Sequence, residues 1–149
     1  MDESVSALYR KLMQEGFKNA GAIEKATMFI DSKAEGVSIC GQGKTDFMNI
    51  YIQVDDRTIT DVKYLCSCDP TANVVIETLC NLARGLTIEK AKDINKDQFY
   101  EIIGSSHGPI RQKVWGAIEL LNRVIKRYEV KMSPDQRPVT VENMDEDEY

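Results

Sequence analysis

The chain has 149 residues, 42 % apolar and 29 % charged, with 19 basic against 24 acidic side chains and a net charge of −5. This is the length of one domain with one buried core, and the balance excludes collagen-like, mucin-like and wholly disordered chains. No apolar run approaches the roughly 20 residues of a membrane span, the start MDESVSALYRK lacks a signal-peptide h-region, and the acidic balance argues against a nucleic-acid-binding surface, so a cytoplasmic protein is expected.

Residues 3–15 predict a first helix, with Val5, Leu8, Tyr9 and Leu12 in a stripe at helical spacing. Gly16, Gly21 and the stretch that follows read as an irregular connection. In MNIYIQVDDRTITDVKYLCSC, Ile50, Ile52 and Val54 alternate with polar neighbours, and Ile59, Val62 and Tyr64 do so less regularly. With Asp55, Asp56 and Arg57 as the turn, this predicts an antiparallel hairpin with one buried face.

Asp69-Pro70 is an N-cap followed by a first-turn proline, and Gly85 after Arg84 is the matching stop. Between them Ala72, Val75, Ile76, Leu79, Cys80 and Leu82 form a core-facing stripe. A short helix is expected over 95–103, capped by Asn95 with Gln98 three residues on. GSSHGP leads to Pro109 and a long amphipathic helix whose apolar positions are Ile110, Val114, Trp115, Ala117, Ile118, Leu121, Val124, Ile125 and Tyr128. From Ser133 onward six acids against Arg137 account for the whole net charge. Residues 1–132 therefore read as the domain and 133–149 as an acidic, disordered tail. The fold class expected is α+β, a small antiparallel sheet of about three strands with helices on one face.

The four cysteines, at 40, 66, 68 and 80, are too few and too clustered for a secreted disulfide framework, so their thiols are expected to be reduced, metal-binding or buried. Cys80 lies on an apolar helical stripe and reads as core. Cys66 and Cys68, two apart at a strand end, point to one sheet face, and Cys68 precedes a helix start, where a thiolate is favoured. Cys40 opens CGQGK, a glycine-containing loop without P-loop spacing. His107, the sole histidine, sits in a Gly/Ser loop, as a metal ligand or a plain surface residue. No Ser-His-Asp arrangement or H-E-x-x-H can be built, which leaves little basis for a hydrolase.

The hairpin sequence, the helix ending Arg84-Gly85, and Leu86-Thr87 with Glu89-Lys90-Ala91 together resemble the IscU/NifU-type iron–sulfur cluster assembly scaffolds. Asn19-Ala20-Gly21 is similar to that family's N-P-R-N-V-G segment, and the likeness spans roughly residues 8–128. The resemblance implies a non-enzymatic scaffold or carrier that holds a [2Fe–2S] cluster or zinc with three cysteines and an aspartate. It also implies a cysteine desulfurase and cluster-acceptor proteins as partners, and leaves homo-oligomerisation open. Counted without gaps, the family's aspartate falls on Asp46 and its first cysteine on Lys44; Cys40-Gly41 matches if the loop is four residues longer. The second cysteine falls on Asp69, with Cys68 one residue away, and the third falls at Lys113 or Val114, where there is no thiol. A rebuilt site would join Cys40, Cys66 and Cys68 with Asp46 or His107. The alternatives are a ligand-free adaptor that binds a desulfurase or client protein, using the acidic tail and the basic face of the last helix, and a carrier in which Cys68 accepts persulfide sulfur without metal.

Overall fold

The computed structural model describes residues 2–39 and 46–131. Cys40 and the tail 133–149 lie outside the described residues, as do the readings attached to them. The elements in chain order are α1 (Glu3–Gln14), β1 (Met28–Asp31), α2 (Ser32–Glu35), β2 (Met48–Asp55), β3 (Thr58–Cys66), α3 (Pro70–Ala83), α4 (Ile88–Ala91), α5 (Lys96–Ile103) and α6 (Gly108–Val130).

The strands form one antiparallel sheet in the order β1-β2-β3, as the expected fold class requires. Two residues, Asp56 and Arg57, turn the hairpin with positive φ of 50° and 62°, the backbone twist that suits the strands on either side. The strained arginine is held there: its carbonyl accepts from Ile88 N at 2.9 Å and its guanidinium pairs with Glu89. Alternation puts Met48, Ile50 and Ile52 on the covered face beside Cys66, Tyr64 and Val62 of β3. The opposite face carries Phe29 and Tyr51, whose rings stand 5.1 Å apart, and Leu65.

Helix α3 is the central element. Asp69 caps it, accepting from Ala72 N at 2.7 Å, and Gly85 at φ +91° follows its end. Every residue from Val74 to Cys80 is buried, because α1, α5, α6 and β3 all pack on it. Asn95 and Gln98 form a full capping box at the start of α5.

Three features differ from the sequence reading. Strand β1 and helix α2 stand in the stretch expected to be irregular; four residues, MFID, carry too little alternation to declare a strand before β2 pairs with it. Trp115, expected in the core stripe, is 61 % exposed, because α6 turns its buried arc through Val114, Ala117, Leu120 and Leu121 instead. Leu82 is only partly buried, its expected place at the end of the α3 stripe being taken by Ala83.

Candidate functional site

The end of β3 brings two sulfurs together. Cys66 follows Val62 and Tyr64 on the helix-covered face and ends β3, and the N–H of the next residue, Ser67, donates to Phe47 O at 3.1 Å. Cys68 returns to the same side, with its Cα 5.4 Å from that of Cys66, and the two side chains are joined as a disulfide. The sequence reading expected these thiols to be reduced, metal-binding or buried; the structure instead joins the two partly buried sulfurs, at i and i+2 across the end of β3. Cys80 follows the expectation. It is buried, and that burial above all, with the Glu77 charge beside it, pushes its thiol well up, so it stays protonated and inert.

Asp69 and Lys113 meet at the same end. Lys113 Nζ lies 3.2 Å from Asp69 Oδ2 and donates to Ile39 O at 2.7 Å, with its side chain only 14 % exposed. These are the positions where the ungapped family count puts the second cysteine and one of the two candidates for the third. An ion pair spans them here.

The segment 35–39, which leads up to Cys40 in the sequence, is fixed on α6 at three heights. Glu35, in α2, takes a bidentate grip from Arg127 at 2.6 Å through each oxygen, and Arg123 adds a contact at 3.3 Å. Those guanidiniums, Arg127 first, hold the Glu35 carboxyl below its ordinary range. Farther along α6, Gly116 admits the chain: a Cβ there would stand 2.7 Å from Ile39 Cγ1 and 3.3 Å from Val37 Cγ1. Lys113 then ties down the Ile39 carbonyl. At the far end of the segment, Phe47 accepts from Ser67. Both residues that bracket 40–46 are therefore hydrogen-bonded to the 66–69 region or to its ion-pair partner.

Behind Cys66 runs a buried polar seam. Cys66 Sγ is 3.6 Å from Asn73 Oδ1, and Tyr64 OH lies 3.4 Å from that oxygen. Tyr64 OH donates to Glu77 Oε2 at 2.8 Å, and Glu77 Oε1 accepts from Asn19 Nδ2 at 2.8 Å. Arg84 closes the seam, donating to Asn19 Oδ1 at 2.6 Å and to Val62 O at 2.8 Å. Glu77 is 1 % exposed, and burial together with its carboxylate pushes the Tyr64 phenol far up. The sequence reading singled out none of Asn73, Glu77 and Arg84 as site residues, although an acid among Val74–Cys80 on a buried stripe is the signal that could have found it.

Of the predicted ligands, Cys66 and Cys68 are together. Asp46 immediately precedes Phe47, and Cys40 lies outside the described residues. His107 is placed elsewhere: at the start of α6 and 76 % exposed, its Nε2 lies 3.6 Å from Asp2 Oδ2. Among the described residues no group of three or more His, Cys, Asp and Glu side chains is arranged to hold a metal ion. No helix among them is long and apolar enough to cross a membrane.

A small antiparallel sheet under a helical layer, with a thiol-bearing strand end at a helix start, defines the class, and comparison gives it a name. The NifU-like N-terminal domain family model matches residues 9–134, and the chain belongs to that family. It is similar to the iron–sulfur cluster assembly scaffold proteins IscU 1 and IscU 2 of Archaeoglobus fulgidus, 33 % identical to each over 114 residues, which is 74 % of this chain and 68 % of the relative. In structure it is similar to an iron–sulfur cluster assembly scaffold protein for the SUF system from Fervidobacterium islandicum AW-1, with TM-score 0.56, 16 % identity, and 84 % and 96 % of the two chains covered. A NifU-like N-terminal protein from Brucella abortus gives TM-score 0.57 at 12 % identity, covering 88 % and 95 %. These last two likenesses establish the fold.

Proposed function

We propose that this protein is a non-enzymatic iron–sulfur cluster assembly scaffold or carrier. In this reading Cys40, Cys66 and Cys68 bind a [2Fe–2S] cluster or a zinc ion as cargo, and Asp46 is a labile fourth ligand. Family membership and the similarity to the two archaeal scaffold proteins support the class. The observation that supports the site is the anchoring of the two described residues nearest Cys40 and Asp46: Ile39 to Lys113, the ion-pair partner of Asp69, and Phe47 to Ser67, between the two sulfurs. Soft thiolates select iron–sulfur clusters and zinc, and a carboxylate oxygen holds such cargo less firmly, which suits an ion that must leave. Binding requires the dithiol form of Cys66 and Cys68, since a disulfide sulfur is a poor ligand. A cysteine desulfurase and cluster-acceptor proteins are the partners in this reading.

One observation favours a second reading, a ligand-free adaptor of the same fold. The Lys113–Asp69 ion pair stands where the family count places two cysteines. Anaerobic purification and reconstitution with iron and sulfide separates the two. The scaffold yields coloured protein containing iron and acid-labile sulfide, and Cys68→Ala bleaches it; protein that stays colourless and metal-free favours the adaptor.

A further inference from the structure

We propose that Cys66 and Cys68 form a self-resolving dithiol that accepts a sulfane sulfur atom on Cys68 and expels it as sulfide. The inference shares with the scaffold reading only the receipt of sulfur, and it needs no bound metal. It rests on the placement of the two sulfurs. They are joined across one intervening residue, with Cα atoms 5.4 Å apart, and that residue, Ser67, is pinned through its N–H to Phe47 O. Cys68 sits immediately before Asp69, the N-cap of the 14-residue helix α3. Cys66 packs inward with Asn73 Oδ1 3.6 Å from its sulfur, which in the dithiol form accepts the Cys66 S–H and orients that thiol.

The chemistry balances without an outside electron source. A sulfane donor, a persulfide or polysulfide, transfers one zero-valent sulfur to the Cys68 thiolate. The Cys66 sulfur then attacks Cys68 Sγ. The Cys66–Cys68 S–S bond forms, the bond from Cys68 Sγ to the outer sulfur breaks, and that sulfur leaves as HS⁻ carrying the proton of the Cys66 thiol. The two cysteine sulfurs are oxidised together by two electrons, and the outer sulfur is reduced by two. An external thiol or dithiol returns the pair to its starting state. Holding the resolving thiol beside the loaded one makes the step intramolecular, which favours it over release to bulk thiols.

The test loads the reduced, metal-free full-length protein with inorganic polysulfide under anaerobic conditions, followed by rapid quenching, intact-mass measurement and sulfide detection. Wild type should pass through a species one sulfur atom heavier and end two hydrogens lighter than the dithiol, with sulfide appearing at the same rate. Cys66→Ser should keep the extra sulfur on Cys68, losing it at least about 10-fold more slowly. Wild type retaining the added sulfur as long as Cys66→Ser, or Cys66→Ser shedding it at the wild-type rate, would overturn the proposal. Cys40→Ser separates this from the scaffold reading: it should abolish cluster retention if the scaffold reading holds, while sulfide release stays with the Cys66–Cys68 pair. Release that vanishes in Cys40→Ser assigns resolution to the other thiol and also defeats the inference.

Discussion

Lys113 Nζ lies 3.2 Å from Asp69 Oδ2 and at the same time donates to the carbonyl of Ile39, so a single ammonium joins α6, the start of α3 and the residue that precedes Cys40. Lys113→Met removes both contacts from a site only 14 % exposed. With Asp69 half-exposed, the expected loss is about 1–2 kcal/mol, read from chemical denaturation. Lys113→Cys instead supplies a thiol at a position where the family count places the third cysteine. It should tighten zinc retention in a chelator competition relative to wild type.

Gly116 is the point where the strap formed by residues 35–39 approaches α6. An alanine there gains about 1 kcal/mol in helix propensity but drives its Cβ to 2.7 Å from Ile39 Cγ1, which is near the backbone and cannot swing away. Gly116→Ala should therefore destabilise by about 1–3 kcal/mol overall and weaken metal retention by moving the loop entrance. A variant more stable than wild type, with unchanged metal retention, would remove the strap from the account.

The buried seam predicts an order of effects. Glu77→Ala leaves the Tyr64 hydroxyl and the Asn19 amide without their shared acceptor and opens a cavity, for a cost of about 3 kcal/mol. Tyr64→Phe removes one hydroxyl and should cost about 1–2 kcal/mol. In the double variant the two costs should fall short of additive, because both report on the same hydrogen bond.

Glu35 makes stability pH-dependent. Its carboxyl is lower in the folded protein than its ordinary 4.5, chiefly through the Arg127 hydrogen bonds. The contribution is thus fully present above that ordinary value and disappears as pH falls through the lowered folded one. Glu35→Gln should lower the urea midpoint at neutral pH and make the decline below pH about 4.5 shallower than in wild type. Parallel curves for the two proteins would contradict this.

Local signals in the chain were readable where the chemistry is local. Asp69-Pro70, the Asn95–Gln98 box and the Asp56-Arg57 turn each fix their own backbone within a few residues, so the two helix starts and the hairpin follow from sequence. The Met28–Asp31 strand did not, because its four residues become a strand only through pairing with β2. Trp115 carried the helical spacing of a core residue, yet the α3–α6 packing leaves it outside. At the site, the i, i+2 spacing placed Cys66 and Cys68 on one side of the chain, but not their disulfide, since Cys68 lies past the end of β3. The Lys113–Ile39 tether, the Gly116 contact and the Asn73–Tyr64–Glu77 seam join residues far apart in sequence, and no local pattern announces them.

The central claim is that three sulfurs converge on one ion. X-ray absorption fine structure on the zinc-reconstituted, fully reduced protein counts them directly. The account predicts three sulfur scatterers at about 2.3 Å with one oxygen or nitrogen at about 2.0–2.2 Å. Two sulfurs or fewer, or zinc lost on desalting, would contradict it.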